Sequence, residues 1–353
     1  MTRRPHRPLV ALTAIALAGA VLSGCSTLGA STKAGATTGS GQTITLYNGQ
    51  HEQTTDALVA AFEKKTGIKV LVRNDDEDVF AGQIEQEGAK SPADVFYTEN
   101  SPALMQLEGK GLLAAAPAAA LAEAPSKYDS PQGDWIGVSA RVSVMIYNTD
   151  LLKPSQLPTS VAQLADPQWA GKLAIADGET DFQPIVTSML KAYGPAATTT
   201  WLNGLKSNAA SHTYPDNETI TSKVDSGQAA IGIINQYYWY RQEVTDGGPS
   251  KAHSAIAYFA PQDPGYVLNV SGAGVLASSK HQAAADQFLE FLDSVQGQDI
   301  IAKGDSYEYP IGSGVTTTEP ETPFDQLQPV NLTIPELGDG SAAISLLQQA
   351  QMF

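Results

Sequence analysis

The stretch TITLYNGQHEQTTDALVAAFEKKTGIKVLVR, residues 43–73, decides the fold class. Its first part, residues 44–47, alternates apolar and polar side chains and predicts a strand that ends at the Asn-Gly pair that follows. Its last part, residues 68–73, predicts a second strand with the same alternation. A strand, a helix and a strand in this order form a βαβ unit, so the two strands are expected to run parallel in one sheet with a helix on its face.

The segment between these strands carries the signals of an amphipathic helix. The apolar side chains that share one face are Leu58, Val59 and Phe62. We expect Thr54 or Thr55 to cap its first turn and Gly67 to end it in the left-handed conformation. The helix therefore covers the sheet with its apolar side.

Strand and helix patterns continue to alternate, so both halves of the chain are expected to be α/β. Further strands are predicted at residues 93–98, 141–148 and 229–234, and further helices at residues 81–87, 182–193, 218–226, 282–295 and 340–353. Turn residues after the strand at 141–148 indicate that the chain crosses there from a first lobe to a second lobe. The helix at 282–295 is expected to return to the first lobe.

The first 42 residues have the pattern of export and anchoring signals. Three arginines, a short apolar run and a small-residue site predict a signal peptide over residues 1–24, with Sec or Tat export left open. Cys25 follows Leu-Ser-Gly as in the lipobox of bacterial lipoproteins, so we expect a lipid there. Residues 25–42 are small and polar, which predicts a flexible linker. The protein is thus expected to be exported and lipid-anchored to the outer face of the cytoplasmic membrane, on the periplasmic side in a Gram-negative cell.

Composition and charge exclude several classes of protein. The chain has 353 residues, with 37 acidic and 21 basic side chains and a formal net charge of −16. This charge repels nucleic-acid phosphates, and no basic patch offsets it, so no nucleic-acid partner is expected. The single cysteine excludes a disulfide framework and a cysteine-based zinc site. We expect a monomer.

Three predicted strands end in loops that carry groups suited to a hard cation. His51 follows the first strand, Glu99 follows the strand at 93–98, and Tyr237 and Tyr238 follow the strand at 229–234. Ligands bind beyond the carboxyl ends of strands in open parallel sheets, so these side chains could face one cleft. One carboxylate and two phenolates neutralise a trivalent ion, and the loss of two phenol protons is favourable only with a strongly polarising cation. The residues favour Fe(III).

The chain resembles the ferric-ion-binding proteins of bacterial iron(III) ABC transporters in four sequence motifs, which occur in the order YNGQHEQ, PADVFYTEN, WLNGLK and INQYYWY. The resemblance covers nearly all of residues 43–353. It implies a transferrin-like, two-lobed periplasmic-binding-protein fold (type II), with mostly parallel sheets flanked by helices and a ligand cleft at the hinge. The first lobe is then expected at residues 43–143 and about 268–315, and the second at residues 144–267 and about 316–353.

The resemblance also implies the roles of individual residues and the partners. His51 and Glu99 match the metal ligands of one lobe, and Tyr237 and Tyr238 match those of the other. Asn217 and Asn235 stand where the family places asparagines near a bound anion, although Asn217 is equally well placed to cap a helix. Arg141 is assigned with them to the anion or to the surroundings of the metal ligands. The implied partners are an ABC permease and its ATPase, and the implied cargo is Fe(III).

One departure concerns the synergistic anion. Relatives that use phosphate have a small Ser-Gly-Ala turn where this chain reads Glu179-Thr180-Asp181. Two carboxylates repel phosphate or carbonate, so phosphate is not expected as the co-ligand. Water, hydroxide, another anion or one of these carboxylates would complete the metal shell.

Two other classes of function remain as alternatives. The same fold could bind a polyamine, thiamine or an organophosphonate, since one fold hosts many ligands. A non-haem iron oxygenase could also use a site of tyrosine and histidine. Other enzyme patterns fail: the HExxH motif lacks its second histidine because Thr55 stands there, and the chain contains no GxSxG motif or P-loop. We therefore expect a binding protein and no enzyme.

Overall fold

The computed structural model describes residues 41–315 and 322–352, and these residues belong to one compact unit. Within the described ranges the strands are β1 Thr43–Gly49, β2 Lys69–Asn74, β3 Val95–Thr98, β4 Trp135–Asn148, β5 Leu173–Ala174, β6 Ile231–Asn235, β7 Ser254–Ala257, β8 Leu268–Val275 and β9 Tyr309–Pro310. The α-helices are α1 Glu52–Thr66, α2 Glu77–Glu87, α3 Ser101–Gly109, α4 Gln183–Ala209, α5 Asn217–Asp225, α6 Gln236–Asp246, α7 Gln282–Asp293, α8 Val295–Lys303, α9 Ile334–Leu337 and α10 Ser341–Gln349. The predicted signal peptide and Cys25 lie outside the described residues.

The predicted βαβ unit is confirmed. Strands β1 and β2 pair in parallel, with Ile44 opposite Val70, and α1 connects them. Gly67 ends α1 with a φ of 77°, the left-handed conformation that glycine adopts without strain. The predicted threonine cap is wrong: α1 begins at Glu52, so both threonines lie inside its first turns, where they are buried.

All strands join one mixed sheet in the order β2-β1-β3-β8-β4-β6-β5, with β7 and β9 also paired to β4. The outer strands of each half pair in parallel, whereas the pairs made by β4 and β8 are antiparallel. Strand β4 links the two halves, because its residues 135–142 pair with β8 and its residues 143–147 pair with β6. The lobe boundaries stay a prediction.

Two buried clusters hold the helices against the sheet. In one of them, Phe62 of α1 lies 5.0 Å from Phe288 and 5.7 Å from Phe291 of α7, measured between ring centres. The helix predicted to return to the first lobe therefore packs beside the first helix of the chain. In the other cluster α10 packs against α4, and Lys206 of α4 donates to the carbonyl of Ala350 at 3.0 Å.

Helix α4 extends well beyond the predicted residues 182–193. It runs to Ala209 across a break at Gly194, whose φ is 76°, and Pro195. Both residues interrupt regular helical hydrogen bonding, which is why the sequence pattern suggests an earlier end. Among the described residues, no helix combines the length and apolar character needed to cross a membrane.

Candidate metal centre

The first half of the site comes from the carboxyl ends of two neighbouring strands. His51 follows β1 and Glu99 follows β3, and these strands pair in parallel with Asn48 opposite Tyr97. Parallel pairing brings both loops to the same edge of the sheet, so His51 Nδ1 lies 2.7 Å from Glu99 Oε1. His51 Nε2 is buried and has no hydrogen-bond partner among the described residues.

The second half comes from the first turn of α6. This helix follows β6 directly, with Asn235 at its N-cap. Tyr237 and Tyr238 therefore lie just beyond the carboxyl end of β6. Both rings are buried, and their centres lie 4.2 Å apart. The Tyr237 ring also meets the His51 imidazole edge on, at 5.0 Å between ring centres.

A carboxylate from a third segment joins the two tyrosines. Asp181 lies in a short 3₁₀ turn, Thr180–Phe182, that leads into α4. Its Oδ2 atom accepts hydrogen bonds from the hydroxyls of Tyr237 at 3.2 Å and Tyr238 at 3.1 Å. The Tyr237 hydroxyl also lies 3.5 Å from Glu99 Oε2. An unbroken set of polar contacts therefore runs from His51 through Glu99 and Tyr237 to Asp181 and Tyr238.

The donor set is rich in oxygen. It contains two carboxylates, two phenol oxygens and one imidazole, which are ligands that hard, highly charged cations prefer. Among the described residues, no group of three or more histidine, cysteine, aspartate or glutamate side chains meets the geometry of a metal site. Any metal held here therefore depends on the two phenol oxygens as well.

Burial sets the protonation of these side chains. It lowers the pKa of His51 to about 3, with Arg241 acting in the same direction, so the imidazole is neutral at neutral pH and its contact with Glu99 is a hydrogen bond. Burial, together with Asp181, raises the pKa of Tyr237 and that of Tyr238 well above the ordinary value. Burial also raises the pKa of Glu99 and that of Asp181. A cation that binds the two phenol oxygens must displace their protons.

A cavity of about 700 Å³ opens beside these donors, and His51, Glu99 and Tyr238 line it. A second, much smaller space of about 10 Å³ is lined by Asp181 together with Asn100, Asn235 and Asn269, among other residues. This smaller space has room for about one water molecule. Phosphate or carbonate does not fit there while Asp181 keeps its position.

Two of the residues predicted near the anion, Asn217 and Thr180, lie beside Asp181. The amide of Asn217 donates to Asp181 Oδ2 at 3.1 Å, and the Thr180 hydroxyl accepts from Asn100 at 3.2 Å. The prediction that Asn217 could cap a helix is wrong, because Asp216 occupies the cap of α5 and accepts from the amide of Thr219 at 2.6 Å. Asn217 is the first residue of the helix, which frees its side chain to turn towards Asp181.

Glu179 and Arg141 lie near the site with different surroundings. Glu179 lines the large cavity, and burial, followed by the charges of Asp181 and Glu99, raises its pKa to about 9. Arg141 is wholly buried on β4, and its Nη2 atom pairs with Glu308 Oε1 at 2.6 Å. Arg141 therefore neutralises a protein carboxylate.

Asn100 is the residue that sequence reasoning missed. Its side-chain amide donates to Glu77 Oε1 at 3.0 Å and to Asp181 Oδ1 at 3.0 Å, and its own oxygen accepts from Asn269 at 2.8 Å. It thereby connects the loop after β3 with the turn that carries Asp181. Its position beside Glu99 was the only available signal, and an asparagine before a helix is more often a simple cap.

Comparisons with known proteins show the family to which the chain belongs. Residues 90–333 match the family of bacterial extracellular solute-binding proteins. The Fe(3+)-binding periplasmic protein of Serratia marcescens is 38% identical over 88% of this chain and 90% of its own length. The iron-bound HitA structure from Pseudomonas aeruginosa is also 38% identical, with a TM-score of 0.83 over 88% of this chain and 99% of HitA.

A more distant structure contains a chelator as well as the metal. The Trichodesmium protein IdiA (FutA), in complex with iron and citrate ligands, is 28% identical. Its TM-score is 0.74, over 87% of this chain and 99% of that one. These structures are two-lobed binding proteins, so the expected two-lobed α/β fold is confirmed. The expectation of mostly parallel sheets is wrong, because β4 and β8 pair antiparallel with all their neighbours.

Proposed function

Since the chain belongs to the bacterial extracellular solute-binding proteins and is homologous to their ferric-iron-binding members, we propose that it captures Fe(III) between its two lobes. It then delivers the ion to an ABC importer. The observation that supports this most directly is the convergence of both tyrosine hydroxyls on one carboxylate oxygen of Asp181. Phenol oxygens beside a carboxylate match the preference of a hard trivalent cation.

We propose five protein ligands for the iron. His51 and Glu99 bind from the first lobe, and Tyr237, Tyr238 and Asp181 bind from the second. Asp181 supplies the negative charge that a synergistic anion would otherwise bring, since its Oδ2 atom already contacts both tyrosine hydroxyls. No exogenous phosphate or carbonate is then required.

Closure of the hinge brings the two sets of ligands together. An ion held by one lobe stabilises the closed form only by the difference in iron affinity between the open and closed states. The contacts of Asn100 with Asp181 and of Tyr237 with Glu99 cross between the two sets of ligands, and they support a closed arrangement that needs little further movement.

The cellular setting belongs to the same proposal. A lipid on Cys25 anchors the mature chain to the outer face of the cytoplasmic membrane, where a permease and its ATPase receive the iron. The protein acts as a monomeric carrier without catalytic activity. Incorporation of labelled palmitate that is lost in Cys25→Ser tests the anchor, and its absence from the wild-type chain would refute it.

A visible absorption titration tests the function. The chain from Ser26 onward, which includes the whole compact unit, is stripped of metal and titrated with ferric nitrilotriacetate in buffer free of phosphate and carbonate. We expect a charge-transfer band from tyrosinate that saturates at one iron per chain. A polyamine, thiamine or organophosphonate carrier would give no such band, and an oxygenase would consume oxygen with an organic substrate.

A second variant tests the role of Asp181. Asp181→Ser removes the carboxylate and leaves space where an anion can bind. We expect this variant to bind iron weakly in anion-free buffer and to recover when phosphate or carbonate is added. An anion requirement in the wild-type chain equal to that of the variant would exclude Asp181 as the internal substitute.

A further inference from the structure

A buried carboxylate outside the proposed set of iron ligands lies directly behind His51. Glu308, which is 1% exposed and precedes β9, places its Oε1 atom 3.8 Å from His51 Nε2. Arg141 donates to this same oxygen at 2.6 Å, and the Ser139 hydroxyl donates to Oε2. Both donors lie on β4, so the sheet neutralises the charge of Glu308 and fixes its position.

A single side chain sets the spacing between His51 and Glu308. Gln50 Oε1 accepts from the backbone amide of His51 at 2.7 Å. Gln50 Nε2 donates to the Ser271 hydroxyl at 2.8 Å and to Glu308 Oε2 at 3.4 Å. Because Gln50 is buried and bonded through both ends of its amide group, His51 cannot move away from Glu308 without breaking these bonds.

The segment that carries Glu308 is held by the helix of the two tyrosines. Tyr307 has a φ of 52°, a left-handed conformation that a bulky residue adopts only when its surroundings hold it there. The side-chain amide of Gln236 donates to the Tyr307 carbonyl at 3.0 Å, and Arg241 Nε donates to the Asp305 carbonyl at 3.0 Å. Both donors belong to α6, so the helix that presents the tyrosines also positions Glu308.

The two ring nitrogens of His51 face different partners. Nδ1 lies 2.7 Å from Glu99 Oε1, on the side of the other proposed iron ligands, whereas Nε2 faces Glu308. A neutral imidazole carries one proton, and while Nδ1 donates it to Glu99, the bare Nε2 has no attraction for a carboxylate. The separation of 3.8 Å, which is too long for a hydrogen bond, agrees with this state. When Nδ1 gives its lone pair to a cation, the ring stays neutral only with its proton on Nε2, and Glu308 is the nearest acceptor for that proton.

We propose that Glu308 is the positioning residue of His51: its carboxylate accepts a hydrogen bond from Nε2 when iron binds and thereby directs Nδ1 to the metal. This inference rests on the proposed function and adds a residue to the same site. A carboxylate that holds the second nitrogen of a metal-bound histidine fixes both the orientation of the ring and the position of its proton. Iron binding is expected to shorten the distance from Nε2 to Glu308 Oε1 to about 2.8 Å.

Isotope labelling shows which nitrogen of His51 binds iron. The chain from Ser26 onward is produced with histidine that carries ¹⁵N either at Nδ1 only or at Nε2 only, loaded with Fe(III) and measured by electron spin-echo envelope modulation. A nitrogen bound to the metal couples to the electron spin much more strongly than the remote nitrogen of the same ring. We expect the strong coupling to change with the Nδ1 label only. His51→Ala with the same labels identifies the signal as that of His51.

The possible outcomes separate this inference from the proposed function. A strong coupling that follows the Nε2 label, or that persists in His51→Ala, would overturn the inference while iron binding stands. A tyrosinate band without any strong nitrogen coupling would overturn it as well. If iron gives no tyrosinate band, the proposed function itself fails.

Glu308→Asp tests the role of the carboxylate. The shorter side chain keeps the charge that Arg141 requires but withdraws the acceptor from Nε2. We expect iron to be lost to a chelator about tenfold faster, since a residue that holds a metal-bound histidine usually changes metal affinity by about 10–100-fold. The tyrosinate band at saturation is expected to stay, because both tyrosines remain. Glu108→Asp is the matched control, since Glu108 is a buried carboxylate that accepts from Ser130, and its release rate is expected to equal that of the wild-type chain.

A double-variant comparison separates positioning from a general structural effect. Because Glu308 acts through His51, Glu308→Asp is expected to cause no further acceleration of release in a chain that already carries His51→Ala. Equal acceleration in both backgrounds, equal acceleration in Glu108→Asp, or an unchanged rate in Glu308→Asp would overturn the role of Glu308. If Glu308→Asp does not fold, the isotope measurement on the wild-type chain decides the inference by itself.

Discussion

Iron binding is expected to release one proton for each tyrosine ligand, and Tyr238→Phe tests this. Burial and Asp181 raise the pKa of Tyr238 well above its ordinary value, so the phenol is protonated at neutral pH before iron binds. Even an unperturbed phenol with a pKa of about 10 costs about 4 kcal/mol to ionise at pH 7. The cation must supply this energy, and the proton leaves as it binds.

The magnitude follows from proton linkage. Each proton released on binding raises the apparent association constant tenfold for each pH unit while the free group is protonated. Two tyrosines therefore contribute about a hundredfold per unit, and Tyr238→Phe removes one factor of ten. The advantage of the wild-type chain over the variant is expected to grow about tenfold for each unit of pH increase and to shrink on acidification by the same factor.

Competition titrations against a fixed chelator from pH 6 to pH 8 measure this difference. The chemistry of iron and of the chelator is the same for both chains, so it cancels in the ratio of their affinities. Tyr240→Phe is the matched control, since this residue lies in the same helix and its ring stacks on Tyr307 at 5.9 Å. Parallel pH profiles for Tyr238→Phe and the wild-type chain would refute phenolate coordination by Tyr238.

Three further predictions concern positioning and stability. Asn100→Ala removes a donor to Asp181 Oδ1, so iron loss to a chelator is expected to be about tenfold faster, and an unchanged rate would count against this role. Gly232→Ala places a methyl group 2.6 Å from a side-chain carbon of Ile220 and is expected to lower the free energy of unfolding in urea by about 1–3 kcal/mol; full wild-type stability would contradict the close packing. Burial raises the pKa of Asp129 to about 6, above the unfolded value of 3.8, so the folded state holds the proton more tightly and its contribution to stability is lost as pH rises from about 4 to about 6. In the iron-free chain, Asp129 is expected to lower the free energy of unfolding in urea by about 1–2 kcal/mol between about pH 4 and pH 6, and Asp129→Asn is expected to abolish this decrease. A variant with the same pH dependence as the wild-type chain would show that Asp129 is not its cause.

The sequence determined the local elements and the pattern of the fold. Residues 43–73 carry a strand, a helix and a strand because their apolar periods change from two to nearly four and back, and these periods depend only on neighbouring residues. The sequence identified four candidate ligands, because each follows a predicted strand within a motif that resembles the family: His51, Glu99, Tyr237 and Tyr238. The structure brings all four to one place.

The tertiary structure decided how the site is completed. Asp181 was one of several candidates in the sequence, and only the folded chain shows that its carboxylate meets both tyrosine hydroxyls. Asn100 joins that carboxylate from a loop 81 residues away, and Arg141 finds its partner Glu308 at a separation of 167 residues.

The reason is physical. A periodic pattern records which face of a helix or strand is buried, but it carries no distance between segments far apart in the chain. Hydrogen bonds form only within about 3 Å, so the choice of partner depends on how the sheet orders its strands and where each loop leaves it. The sequence therefore determined which groups this protein can offer a cation, and the packing of the sheet decided which of them meet.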